Sequence, residues 1–335
     1  MGSVYAQPVA TPTTEDPQTS GDRILLGMFY ETGRKISLAL LMLPLMWQSA
    51  LSEPRFEQLP AAGGTLLLDW NGEYSQSERD KVRAWLVSVA ETVTLLHGAL
   101  PREEIRIELT AYPSSASAVP FARVLRSEPQ GIEFFINPTR PLREFIEDWT
   151  AYHELSHLFI PFPGDGDIWF SEGLASYYQN VLQYRAGLLG EAQAWQKLHD
   201  GFVRGRDDAG DGELTLAELS PRMRERGAFM RVYWSGALYF LEADLALRAH
   251  SDGRVTLDSV LRNFSECCLV ERRRWTGEQL AAEFDRIAAA DVFLPLYARY
   301  TSATAIPDYE PVLGAAGVNV DGGQVRVTES GFLDR

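Results

Sequence analysis

The sequence predicts an α+β protein, in which a small mixed sheet lobe is followed by a mainly helical lobe. Three observations carry that prediction. Between residues 65 and 137, short apolar or alternating segments flank a single helical pattern. Beyond Pro141 hardly a strand signal remains, and apolar residues recur at helical spacing. The 335 residues, 45% of them hydrophobic, suffice for a substantial core in one large domain or two closely packed parts.

Residues 1–52 read as a polar extension followed by a signal peptide. The first 27 residues begin with a Pro/Thr-rich stretch that has no reason to fold. Arg34 and Lys35 then precede the apolar run ISLALLMLPLMW (36–47) and the small residues of SALS, ending at Ser52. That is a signal-peptide pattern; a signal starting at Met28 rather than Met1 would make the first 27 residues a mis-assigned start. The run is short for a membrane span and contains Pro44. The expectation is an exported protein, periplasmic or secreted, with no stable membrane span after cleavage. If segment 36–50 is not cleaved, the protein is membrane-anchored.

Residues 53–140 form the predicted mixed lobe. A Pro-, Ala- and Gly-rich loop to Gly64 leads into the strand TLLLDW. Ser75 and Glu78 make a capping-box pattern for a helix carrying Val82, Trp85, Leu86, Val89 and Val93 on one face, up to His97-Gly98. EIRIELTAY and GIEFFIN (131–137) read as further strands.

Residues 141–321 form the predicted helical lobe. Thr139 and Pro141 open a helix through Leu142, Phe145, Ile146, Trp149 and Tyr152 that ends before Pro161. The loop PFPGDGD leads to a second helix, from about Trp169 to Leu189. Helices are also expected around 190–203, 214–226, 228–249, 256–264, 277–289 and 291–300, and residues 322–335 read as a C-terminal tail.

A net charge of −15 argues against nucleic acid and anionic membrane surfaces as partners, since both need clustered Lys and Arg. Cys267 and Cys268 are adjacent, so a disulfide between them is expected to be strained, and neither has a CxxC spacing.

The chemistry concentrates in AYHELSHLFIPFPGDGDIWFSEGLASYY. His153 and His157 are one helical turn apart, so both imidazoles can reach one tetrahedral ion. Glu154, next to the first histidine, is angled toward the position where a general base takes a proton from water. Two histidines leave a catalytic zinc one protein ligand short, and Glu172 on the returning helix completes a His₂Glu set. The bland reading is two solvent-facing histidines and a helix N-terminal glutamate. A weaker signal lies at 207–218, where Asp207, Asp211 and Glu218 imitate a Ca2+ loop. Ala209 at its third position cannot ligate, so a polar turn is the preferred reading. The Asp165-Gly166-Asp167 turn is explained by turn chemistry alone.

HELSH followed by WFSEGLASYY resembles the gluzincin pattern H-E-x-x-H…W-x-x-E-G-x-A-x-Y of zinc aminopeptidases. VYWSGALYFLEADLALRAHSDGRVTLDSVLRNF and DVFLPLYARYTSATAIPDYEPVLGAAGV resemble the Tyr-x-x-Gly helix and the close of the catalytic domain in the glycyl aminopeptidase family. The resemblance spans roughly residues 130–318 and is strongest at the metal helices. It implies a thermolysin-like gluzincin catalytic domain with the active helix between its lobes. It also implies one Zn2+ per chain on His153, His157 and Glu172, with Glu154 as catalytic base. Tyr233 then matches the hydroxyl that stabilises an oxyanion; otherwise it is one aromatic on the Phe229, Tyr233, Phe240 face.

Gly131 and Glu133 match the Gly-rich edge strand that binds substrate backbone and ends in an acidic residue for the α-amine. Glu133 equally suits the solvent face of an alternating strand. No counterpart of the family's long N-terminal β-domain or C-terminal peptide-binding domain is recognisable, which leaves substrate size open. The expected activity is hydrolysis of short peptides by an aminopeptidase, with a metalloendopeptidase or a catalytically silent binding scaffold as the alternatives.

Overall fold

The computed structural model describes residues 56–96, 98–208, 212–269 and 273–334. The polar extension, the signal peptide and His97 lie outside the described residues. Residues 55–335 form one compact unit.

Its sheet has five strands: β1 (Glu57–Ala61), β2 (Gly64–Asn71), β3 (Glu104–Ala111), β4 (Phe121–Leu125) and β5 (Gly131–Ile136). Their order is β1-β2-β3-β5-β4, parallel through β2, β3 and β5 and antiparallel at both edges. Helix α1 (Gln76–Val93) connects β2 to β3. Its capping box forms: Ser75 N–H donates to Glu78, and Glu78 N–H to Ser75 Oγ. Trp85 of α1 meets Phe134 of β5 edge-on at 5.2 Å, so the apolar stripe of α1 and one face of the sheet share a core.

Both edge strands differ from the expectation. β1 falls in the Pro-, Ala- and Gly-rich stretch to Gly64 whose composition predicts a loop. Pro60 is tolerated because β1 is an edge strand, and the hairpin turns on Ala62 and Gly63, both at positive φ. β4 has only five residues and a charge in its middle, so it lacks a strong alternating signal. Arg123 stands opposite Glu133 in the register and pairs with it.

The helical part comprises α2 (Leu142–Glu147), α3 (Thr150–Ser156), α4 (Ile168–Arg185), α5 (Glu191–Asp207), α6 (Leu216–Leu219), α7 (Met223–Arg226), α8 (Phe229–Ser251), α9 (Leu257–Cys267), α10 (Gly277–Ala288), α11 (Phe293–Thr301) and α12 (Glu310–Ala315). The single helix expected after Pro141 is two. Asp148 takes extended backbone, and its carboxylate accepts from Thr150 N–H, so the chain restarts as α3.

Helices α4 and α8 cross at glycines. A Cβ on Gly173 would lie 2.3 Å from Gly236 Cα, and one on Gly236 would lie 2.1 Å from the Trp169 carbonyl oxygen. Residues 322–335, read as a tail, contain β7 (Gln324–Val327), which pairs with β6 (Val318–Asp321) across a Gly322-Gly323 turn. Cys267 and Cys268, adjacent in the chain, are joined by a disulfide. Among the described residues no helix is long and apolar enough to cross a membrane.

Candidate metal centre

Helix α3 carries His153 and Glu154, and tightens into a 3₁₀ turn at His157–Phe159. Proline and glycine in PFPGDG end that element, and the chain returns as α4, which brings Glu172 back against α3. The Glu172 carboxylate Oε2 lies 3.2 Å from His153 Nε2 and 3.5 Å from His157 Nε2. All three donor atoms lie within 4.8 Å of one another. Bonds of 2.0–2.1 Å to a tetrahedral ion place ligand atoms about 3.3 Å apart, so this donor set fits zinc. Both histidines are buried, 4% and 3% exposed, while Glu154 and Glu172 are half-buried.

Two further residues aim the imidazoles, and sequence reading missed both. His153 Nδ1 is 2.9 Å from Gln179 Oε1, and His157 Nδ1 is 2.9 Å from Ser171 Oγ. With those nitrogens engaged, each ring presents Nε2 to the shared point, the arrangement that metal-bound histidines favour. The signal was available in the helical period. Ser171 adjoins Glu172, and Gln179 lies two turns beyond it on α4.

The electrostatics agree with a cation site. Burial works against ionisation of Glu172, yet the charges and hydrogen bonds of His157 and His153 hold it well below the usual carboxylate range. Burial also lowers His153, but the hydrogen bond and charge of Glu172 outweigh it and leave the imidazole raised. Burial pushes Glu154 up, and the neighbouring Glu172 adds to this. A proton acceptor raised toward neutrality suits proton transfer in both directions.

The α4–α8 crossing positions Tyr233. Gly236, one turn later on α8, allows the close approach, and the Tyr233 ring stacks 6.0 Å from the His153 ring with 17° between the planes. Trp149 also meets the His153 ring, edge-on at 5.5 Å.

Gly131 and Glu133 do not join this group. β5 is an interior strand, so the expected edge position belongs to β4 instead. Gly131 is required because a Cβ there would lie 1.8 Å from the Arg106 carbonyl oxygen on β3. Glu133 alternates with the core residues Ile132 and Phe134, and so projects from the opposite face of the sheet. There it accepts from Arg123 Nε at 2.6 Å and from Thr110 Oγ1 at 3.3 Å.

In the 207–218 loop, Glu218 is engaged in a capping box with Thr215, and Asp207 pairs with Arg206. Asp211 lies outside the described residues. Asp167, in the turn before α4, accepts from Gly277 N–H and Tyr297 Oη and so ties that turn to α10 and α11.

Residues 163–238 match the M61 glycyl aminopeptidase family. The matched stretch includes Glu172 of the donor set, the orienting Ser171 and Gln179, and Tyr233. Over this stretch the chain is similar to a gluzincin aminopeptidase domain. A solved aminopeptidase N family protein from Idiomarina loihiensis shares the fold, with a TM-score of 0.60 and 18% identity over 79% of this chain and 49% of that one. An M1 zinc metallopeptidase from Deinococcus radiodurans aligns at a TM-score of 0.48 and 12% identity, over 75% of this chain and 51% of that one. The chain thus spans about half the length of these structures. Among curated proteins none matches.

Proposed function

We propose that the chain is a zinc-dependent peptidase, acting as an aminopeptidase on short peptides. The observation that carries the proposal is the convergence of His153 Nε2, His157 Nε2 and Glu172 Oε2 on one point beside Glu154. The family match over residues 163–238 supports aminopeptidase chemistry. The signal-peptide pattern of residues 28–52 supports an exported enzyme, working in the cell envelope or outside the cell.

His153, His157 and Glu172 would hold the ion, and Gln179 and Ser171 would keep the two rings aimed. Zinc in such a site supplies Lewis acidity, which acidifies water and polarises a carbonyl. Glu154 takes the proton from the attacking water and passes it to the departing amine. The Tyr233 hydroxyl donates a hydrogen bond to the oxyanion as charge develops there.

One observation favours a second reading, a metalloendopeptidase. Glu133, the residue expected to hold a free α-amine, is engaged by Arg123 on the far face of the sheet.

The test is the full chain with its bound metal determined by elemental analysis, assayed on Gly- and Ala-linked fluorogenic amides and on internally quenched peptides. We expect one zinc per chain, and a loss of about 10²–10⁴ in rate for Glu154→Gln with zinc retained. Turnover of the amides alone marks an aminopeptidase, and cleavage within the quenched peptides an endopeptidase. Zinc without turnover on either set would leave a binding scaffold, and absence of zinc would overturn the proposal.

A further inference from the structure

The edge strand β4 packs against α3 and ends at Leu125, and the next residue is Arg126. Its guanidinium lies 4.1 Å from the centre of the Phe162 ring, in the loop that joins the two metal-site helices. Cation–π contact of this kind anchors the charge at one place, although Arg126 as a whole is an exposed residue.

The site acts on that charge. Crowding by protein atoms lowers the Arg126 pKa, and the carboxylates of Glu172, Glu154 and Asp165 oppose this. Among the described residues no carboxylate lies within ion-pair distance of Arg126. The neighbouring sheet arginines differ: Arg123 is clamped by Glu133 and Arg106 by Glu108. A divalent ion would balance the two negative charges of Glu172 and Glu154. Of the three carboxylates that act on the guanidinium, only that of the exposed Asp165 would then be left unbalanced. Such a cation attracts an anion and repels an ammonium group.

We propose that Arg126 recognises a carboxylate on the peptide substrate, next to the reacting bond. The carboxylate comes from an acidic side chain or from the C-terminus of a very short peptide. This deepens the peptidase reading above and rests on it for the word substrate. It makes Arg126 a specificity residue, contacting the peptide and taking no part in the bond-breaking step.

Binding and turnover test it separately. The zinc-loaded full chain carrying Glu154→Gln is titrated by calorimetry with matched tripeptides. One pair exchanges Glu for Gln beside the reacting bond, and the other exchanges a C-terminal acid for its amide. With Arg126 intact we expect the carboxylate member of one pair to bind about 10- to 100-fold tighter. The pair that shows the gap identifies the source. Adding Arg126→Gln should bring that ratio close to one, with zinc content unchanged. Arg126→Lys should restore part of it, because the charge returns without the two-pronged geometry.

In the chain with Glu154 intact, the same ratio should appear in KM more than in kcat. Equal binding within both pairs, or a gap that persists in Arg126→Gln, would overturn the proposal. A binding gap without hydrolysis of any peptide would instead sink the peptidase reading and leave Arg126 as a carboxylate site.

Discussion

The two ends of α4 keep polar groups away from water by opposite means. Toward its N-terminus, Glu172 and two imidazoles point their free atoms at one spot. Toward its C-terminus, Tyr178 and Arg185 both donate to Asp258 of α9, at 2.8 and 2.6 Å. Asp244 of α8 accepts from Arg248 at 3.1 Å, from Leu257 N–H at 2.8 Å and from Tyr177 Oη at 3.3 Å. In this second cluster two carboxylates meet two guanidinium groups, so its charges close on themselves.

The carboxyl groups record the difference. Glu172 is held well below the usual range by His157 and His153 despite its burial. Asp244 is pushed up, because burial outweighs Arg248. A closed network serves packing and register. A convergent donor set of this kind suits a cation.

The strongest way to break this comparison is Glu172→Ala. We expect loss of stoichiometric zinc, hydrolysis at background, and no rise in melting temperature on adding zinc, whereas the parent chain should show that rise. Persisting metal would mean that the N-terminal cluster is structural too. Asp258→Ala should act the other way, costing about 3–5 kcal/mol in urea unfolding because Arg185 is left buried without its partner. Zinc per folded chain should stay the same.

Tyr233→Phe should lower kcat by about 10²–10³-fold with metal affinity intact, if its hydroxyl serves the oxyanion. Gln179→Ala should weaken zinc affinity by about 10- to 100-fold in competition with a chelator and leave urea stability near that of the parent.

The smallest effect is in pH, measured on the metal-free chain by thermal unfolding. Glu172 is depressed in the folded state, so its contribution is present above its ordinary 4.5 and is lost as pH falls through the folded value. His153 is raised, so its contribution is full below 6.5 and is lost as pH rises through the folded value. The pair therefore stabilises most between about 4.5 and 6.5, and Glu172→Ala should flatten that window. Asp244, raised above its ordinary 3.8, should produce the opposite slope, with stability falling as pH rises from there. Zinc affinity should climb with pH as the His153 proton is given up.

The donor set was legible in the sequence because its members are close along the chain. His153, His157 and Glu172 need only one helical turn and one return, and HELSH with the PFPGDG break specifies both locally. The capping box at Ser75, the strands β2, β3 and β5 and the α4 helix were legible for the same reason: periodicity and punctuation state which way a side chain points.

Tertiary structure alone decided which neighbours those side chains meet. Glycine and an acid at 131–133 suited an edge strand equally well, until the pairing order put β4 outside and turned Glu133 to the far face. The restart of the helix at Asp148, the seating of Tyr233 by the Gly173–Gly236 crossing, and the reach of Arg126 to Phe162 likewise depend on contacts between distant segments. Strand order and helix crossings are set by the energy of long-range packing, and no local period encodes it.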